Sequence, residues 1–120
     1  MIKLLYVEDD IWARNMVSDA LRLSTDFEID LAFDGEEGVN KAIHNDYDII
    51  IMDIMLPDID GWEATRRIKL VKPDAVVISL SALSIKDMDC EHLFSEYVRK
   101  PIKPFEFKKL LKVVANRYQI

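Results

Sequence analysis

The stretch Ile49-Ile50-Ile51-Met52-Asp53 limits the possible folds more than any other part of the chain. Four consecutive apolar residues without polar alternation predict a strand buried on both faces, as in the middle of a parallel sheet. The hydrophobicity stops at a carboxylate, so Asp53 is expected at the carboxyl edge of that strand. In open α/β sheets this edge is where ligands bind. Pro57 follows in a loop, and Asp60-Gly61 marks a turn.

The rest of the chain supplies neighbours for that strand. Lys3 to Val7 is a short apolar run that stops at Glu8-Asp9-Asp10, a second strand ending in acids. Ile11, Trp12, Val17, Ala20 and Leu21 recur at helical spacing over Ile11 to Leu23, with Asp10 placed to cap the helix. Phe27 to Phe33 alternates apolar and polar residues, as an edge strand does. Asp34 then stands at an N-cap position with Glu37 in the capping-box place, opening a helix to about Asn45. Trp62 to Val71 is a third helix, broken by Pro73-Asp74, and Ala75 to Leu80 a third buried strand ending at Ser81-Ala82. Ile85 to Phe94 predicts a short fourth helix, Tyr97 to Arg99 a brief strand, and Phe105 to Tyr118 an amphipathic helix on Phe107, Leu110, Leu111, Val114 and Tyr118. Strands alternating with helices mean right-handed βαβ crossovers, and so an α/β doubly wound parallel sheet.

The length leads to the expectation of one domain spanning 1–120, with no output domain expected after it. The formal net charge of -6, from Lys+Arg 16 against Asp+Glu 22, argues against a direct nucleic-acid partner. Cys90, the one cysteine, has no internal disulfide partner. With neither a bilayer-length apolar stretch nor a signal-peptide layout, the chain is expected to be cytoplasmic and not inserted in a membrane. Only Gly35, Gly38 and Gly61 are glycines, and no Gly-rich phosphate loop is present, which removes dinucleotide and P-loop readings.

In a parallel sheet the strand ends share one edge, which here collects Glu8 and Asp9, Asp53, Ser81 and Lys100. Carboxylates this close repel and raise one another's pKa, a conflict that a hard cation such as Mg²⁺ resolves. A cation, an ammonium and a hydroxyl together suit a phosphoryl group, whose transfer needs mainly positioning and charge neutralisation. A central carboxylate can serve as the nucleophile, so a covalent aspartyl phosphate at Asp53 is expected.

Val7-Glu8-Asp9-Asp10, Met52 to Gly61 (MDIMLPDIDG), Ser81-Ala82 and Lys100-Pro101 stand in the order and near the spacing of the receiver domain of two-component response regulators, which the whole chain resembles. The resemblance implies the flavodoxin-like (βα)5 fold with strand order 2-1-3-4-5. It implies that Asp53 accepts phosphoryl from a sensor histidine kinase or phosphotransfer protein, with Ser81 and Lys100 touching the phosphoryl oxygens. Mg²⁺ would be held by Asp9, Asp53 and the Met55 backbone carbonyl, with Glu8 acting mostly through water. Lys100-Pro101 would be a cis peptide. Phosphorylation would draw Ser81 inward with Tyr97 turning into the space it leaves, and the face around Ile85 to Tyr118 would meet a downstream protein target or output domain, with a phosphorylation-dependent dimer as one outcome. No external substrate is turned over, so the chain is not an enzyme in the ordinary sense.

Two features depart from that pattern. Leu93-Phe94-Ser95-Glu96 replaces the small Gly-Ala pair usual before the last strand, and the segment from Ser81 to Lys100 is short. Met55 and Leu83 are apolar where the family tunes phosphoryl lifetime, which predicts slow autodephosphorylation.

Plainer roles fit other residues. Asp10, Asp34, Asp58 and Asp60 are expected as caps or solvated loop acids, and His44, His92 and Cys90 as surface residues without chemistry. Trp12 and Trp62 follow loops at the site edge and read as core or rim. The lysines 100, 103, 108, 109 and 112 read as solvated helix surface, and Tyr97 as either switch or core aromatic. Two other classes compete: a non-phosphorylated pseudo-receiver serving as a docking or dimerisation module, and a phosphohydrolase of the haloacid-dehalogenase kind. The second needs an acid two residues after the nucleophile, where Met55 stands.

Overall fold

The computed structural model describes residues 1–82 and 93–120. The chain runs β1 (Ile2–Val7), α1 (Ile11–Arg22), β2 (Phe27–Ala32), α2 (Gly35–His44), β3 (Ile49–Asp53), α3 (Gly61–Val71), β4 (Val77–Ser81), β5 (Glu96–Arg99) and α4 (Pro104–Arg117). The five strands form one sheet in the order β2-β1-β3-β4-β5, every pair parallel. Doubly wound architecture and strand order therefore agree with expectation. The helix expected over Ile85 to Phe94 lies, except for its last two residues, outside the described residues, as do Leu83, Cys90 and His92. Among the described residues no helix is long and apolar enough to cross a membrane.

The unbroken hydrophobicity of β3 has a direct cause in this arrangement. Ile49 and Ile51 enter the core layer shared with Val17 and Leu21 of α1 and Phe107, Leu111 and Val114 of α4. Ile50 and Met52 enter the opposite layer with Val39 and Ala42 of α2 and Ala64 and Ile68 of α3. Successive side chains point to opposite faces, so a strand covered on both faces needs apolar residues at every position. β2 and β5 are edges and show mixed burial instead.

The helix starts follow their caps. Asp10 accepts from the Trp12 N–H at 3.0 Å, Asp34 from the Glu37 N–H at 2.8 Å and Asp60 from the Glu63 N–H at 2.8 Å. Glu37 reaches back past the cap, accepting from the Phe33 N–H at 2.7 Å. Asp58 caps α2 from a distance, accepting from the Gly35 and Glu36 N–H groups at 2.8 Å each. The four acids expected as caps or loop residues thus have that role.

Some apolar positions differ from expectation. Ile11 and Trp12 sit on the outer face of α1, and Tyr118 follows the end of α4 and is exposed. Helical spacing places residues on a stripe, but the first and last turns overhang the sheet, so apolar residues there remain in solvent. Trp62 does pack against the core, and His44 is exposed.

Candidate functional site

β1, β3 and β4 deliver their last residues to one edge, and the segment after β5 adds a lysine. Asp53 ends β3 and is 2% exposed, while Glu8 follows β1 with no exposure. Asp9 beside it is exposed. One carboxylate oxygen from each of Glu8, Asp9 and Asp53 lies within 4.8 Å of the other two. Lys100 closes the group: its Nζ is 2.8 Å from Glu8 Oε1 and 3.1 Å from Asp53 Oδ2. It is held there by its own backbone N–H, which donates to the Ser81 carbonyl at 2.8 Å, and Lys100-Pro101 is cis. This corrects its reading as part of a solvated basic run, because two buried acids pull the ammonium inward. Lys103, Lys109 and Lys112 are exposed.

The two oxygens of Asp53 have different partners, since Oδ1 accepts the Met55 N–H at 3.2 Å and Oδ2 faces Lys100. The Met55 side chain itself is exposed. Ser81 lies buried at the end of β4, paired in register with Arg99. Tyr97 is 42% exposed and packs edge-on against the buried Phe94, their ring centroids 5.8 Å apart. Its ring is therefore turned outward in this structure.

Three further residues complete the surroundings of Glu8, and sequence reasoning assigned them no such role. The Tyr6 hydroxyl donates to Glu8 Oε1 at 3.4 Å, the Asp10 N–H to Oε2 at 3.3 Å, and the Arg14 guanidinium to the Glu8 carbonyl at 3.1 Å. The strand period of two placed Tyr6 on the same face as Glu8 and was a usable signal. Arg14, one helical turn beyond Asp10, carried none.

The electrostatics match this crowding. Burial first, and then the neighbouring Asp53, push the Glu8 carboxyl up to about 7, while Lys100 opposes the rise. Burial pulls the Lys100 ammonium down, but its pairing with Glu8 and Asp53 outweighs that and the net shift is upward. The Tyr6 phenol is raised by burial and by the Glu8 charge. Three carboxylates against one ammonium leave the site negative, and an all-oxygen donor set of this kind suits a hard divalent cation.

Comparison with known proteins supports the same reading. The model of the response regulator receiver domain matches residues 4–115. The transcriptional regulatory protein CusR of Escherichia coli K12 is 34% identical over 110 residues, covering 92% of this chain and 48% of that protein. The response regulator TrrA of Thermotoga maritima, solved in complex with Mg(2+)-BeF, is 34% identical with a TM-score of 0.84, covering 93% of this chain and 97% of that one. A CheY-like receiver domain protein from Methanospirillum hungatei superposes with a TM-score of 0.90 over 99% of this chain and 97% of its own, at 20% identity, and bears on the fold alone. The chain spans about half the length of the curated relatives it matches. With five parallel strands in the order 2-1-3-4-5, an acidic cluster at their carboxyl edge and a family match over almost its whole length, this chain belongs to the response regulator receiver domain family.

Proposed function

We propose that Asp53 accepts a phosphoryl group from the phosphohistidine of a sensor histidine kinase or phosphotransfer protein, and that the resulting aspartyl phosphate controls binding of a downstream protein or output domain. The observation that carries this reading is Asp53 itself. It is a buried carboxylate between an acidic cluster and an ammonium, with one oxygen on a backbone N–H and the other on Lys100. In the transfer an Asp53 oxygen forms the new O–P bond while the donor's P–N bond breaks, its electron pair staying on the imidazole nitrogen. Lys100 stands where it can exchange its pairing with the carboxylate for one with a phosphoryl oxygen, and the Ser81 hydroxyl is assigned a second such contact. Glu8, Asp9, Asp53 and the Met55 carbonyl would hold Mg²⁺, which when bound supplies charge neutralisation for the phosphoryl oxygens. The reaction modifies the protein's own side chain and turns over no external substrate.

The Trp12 and Met16 side chains lie exposed along α1, which leads away from the acidic edge, and offer a phosphodonor an apolar approach. Tyr97 is assigned the switch role, its outward ring corresponding to the unphosphorylated state. The cytoplasm, where such donors present phosphohistidine, is the proposed site of action. The exposed apolar Met55 places no hydrogen-bonding group to orient an attacking water, so the phosphoryl group is expected to outlive that on a Met55→Asn variant.

Intact-mass analysis after incubation with acetyl phosphate and Mg²⁺ tests the reading. One hydroxylamine-labile phosphoryl adduct is expected, absent without Mg²⁺ and absent from Asp53→Asn. A folded, Mg²⁺-binding protein that gains no adduct from acetyl phosphate or from a kinase would favour the docking-module alternative.

A further inference from the structure

Arg14 is a charged side chain near the site to which the proposed chemistry gives no role. It comes from the second turn of α1, yet its guanidinium ties together three separate segments. One nitrogen donates to the Glu8 carbonyl at 3.1 Å, which fixes the turn carrying Glu8, Asp9 and Asp10. The guanidinium carbon lies 4.0 Å from the centroid of the Phe33 ring, a stacking distance, and Phe33 follows β2. The Phe33 backbone is itself fixed by the Glu37 carboxylate at the start of α2. The Arg14 Nε is buried and makes no hydrogen bond. A cation that leaves a donor unpaired is held by something other than full hydrogen bonding, and here that is the aromatic face and the carbonyl.

We infer that Arg14, stacked on Phe33 and bonded to the Glu8 carbonyl, is a positioning residue that preorganises the Glu8-Asp9 turn for divalent cation binding. This rests on the metal-site reading given above. The guanidinium bonds the Glu8 backbone carbonyl, so it acts through the backbone of the turn, as groups that orient metal ligands do. The charge of Arg14 works against this role. A positive group close to a cation site repels the cation, so on charge alone its removal tightens binding. Positioning and charge thus predict opposite signs.

The test is a Mg²⁺ titration of the wild type, Arg14→Lys, Arg14→Met and Phe33→Leu, followed by amide chemical shifts, with metal-free thermal melts beside it. Wild-type binding that Asp53→Asn abolishes or strongly weakens supports the site; absence of wild-type binding sinks the site reading itself. Given wild-type binding, Arg14→Met and Arg14→Lys are each expected to weaken Mg²⁺ about tenfold. Phe33→Leu is expected to weaken it about threefold, because the carbonyl bond survives without the stack. The Lys variant is decisive, since it keeps the charge and loses the planar stack. Unchanged affinity in Arg14→Lys, or tighter binding in Arg14→Met, overturns the inference while leaving the site reading intact. If Arg14→Met fails to fold, Arg14→Lys and Phe33→Leu decide the matter by the same criteria.

Discussion

Glu8 shows how one residue's surroundings set the conditions for the whole site. Fully buried, with Asp53 nearby, its carboxyl is pushed up to about 7 in the metal-free fold, well above the ordinary glutamate range. The sign follows from linkage. The folded form holds a proton that the unfolded chain has already released, so this contribution to stability is complete below the unfolded value and lost as pH rises through the folded one. Cation binding needs the carboxylate and reverses that loss. Mg²⁺ affinity is therefore expected to fall severalfold between about pH 7.5 and about pH 6, and the Mg²⁺-induced rise in melting temperature to shrink in parallel. A titration at both pH values checks it, and equal affinities would show that Glu8 is not the titrating group.

At the scale of elements, the site depends on how closely α3 approaches the end of β3. A Cβ on Gly61 would lie 2.4 Å from the Asp53 carbonyl oxygen and 2.8 Å from the Ile54 Cα, both rigid backbone atoms. Gly61 also donates its N–H to the Ile54 carbonyl at 2.9 Å, so the helix start is tied to the residue after the acid. Gly61→Ala is expected to cost about 2–3 kcal/mol, as overpacking against fixed atoms does. It should also displace Asp53 and slow acetyl-phosphate labelling. Denaturant melts and labelling rates measure the two effects separately; loss of neither would mean that the loop after β3 yields freely.

Across the whole molecule, the acidic edge sets stability against function. Two apolar layers support the sheet, while its carboxyl edge gathers three carboxylates, two of them paired with one ammonium. Asp53→Asn removes one of the crowded charges yet keeps an oxygen for the Met55 N–H. The metal-free variant is expected to be more stable than wild type by about 1 kcal/mol, or a melting temperature higher by about 4 °C. Saturating Mg²⁺ should narrow or reverse the difference. A variant less stable than wild type without metal would mean that the Lys100 pairing outweighs the repulsion.

The sequence by itself determined the sheet, its order of elements and the set of residues at its edge. Those signals are local: an apolar run without alternation, an acid at its end, a cap residue before each helical stripe. Asp53, Glu8, Asp9, Ser81 and Lys100 could be gathered on one edge because parallel strands all end there. The tertiary structure alone decided what each side chain meets. Lys100, one of several similar lysines in the sequence, turns inward because two buried carboxylates face it. Arg14 and Phe33 lie on different elements with no shared pattern, and Ile11 and Trp12 occupy helical core spacing yet sit in solvent. Periodicity fixes the direction of a side chain relative to its own element; only the packing of elements decides what lies in that direction.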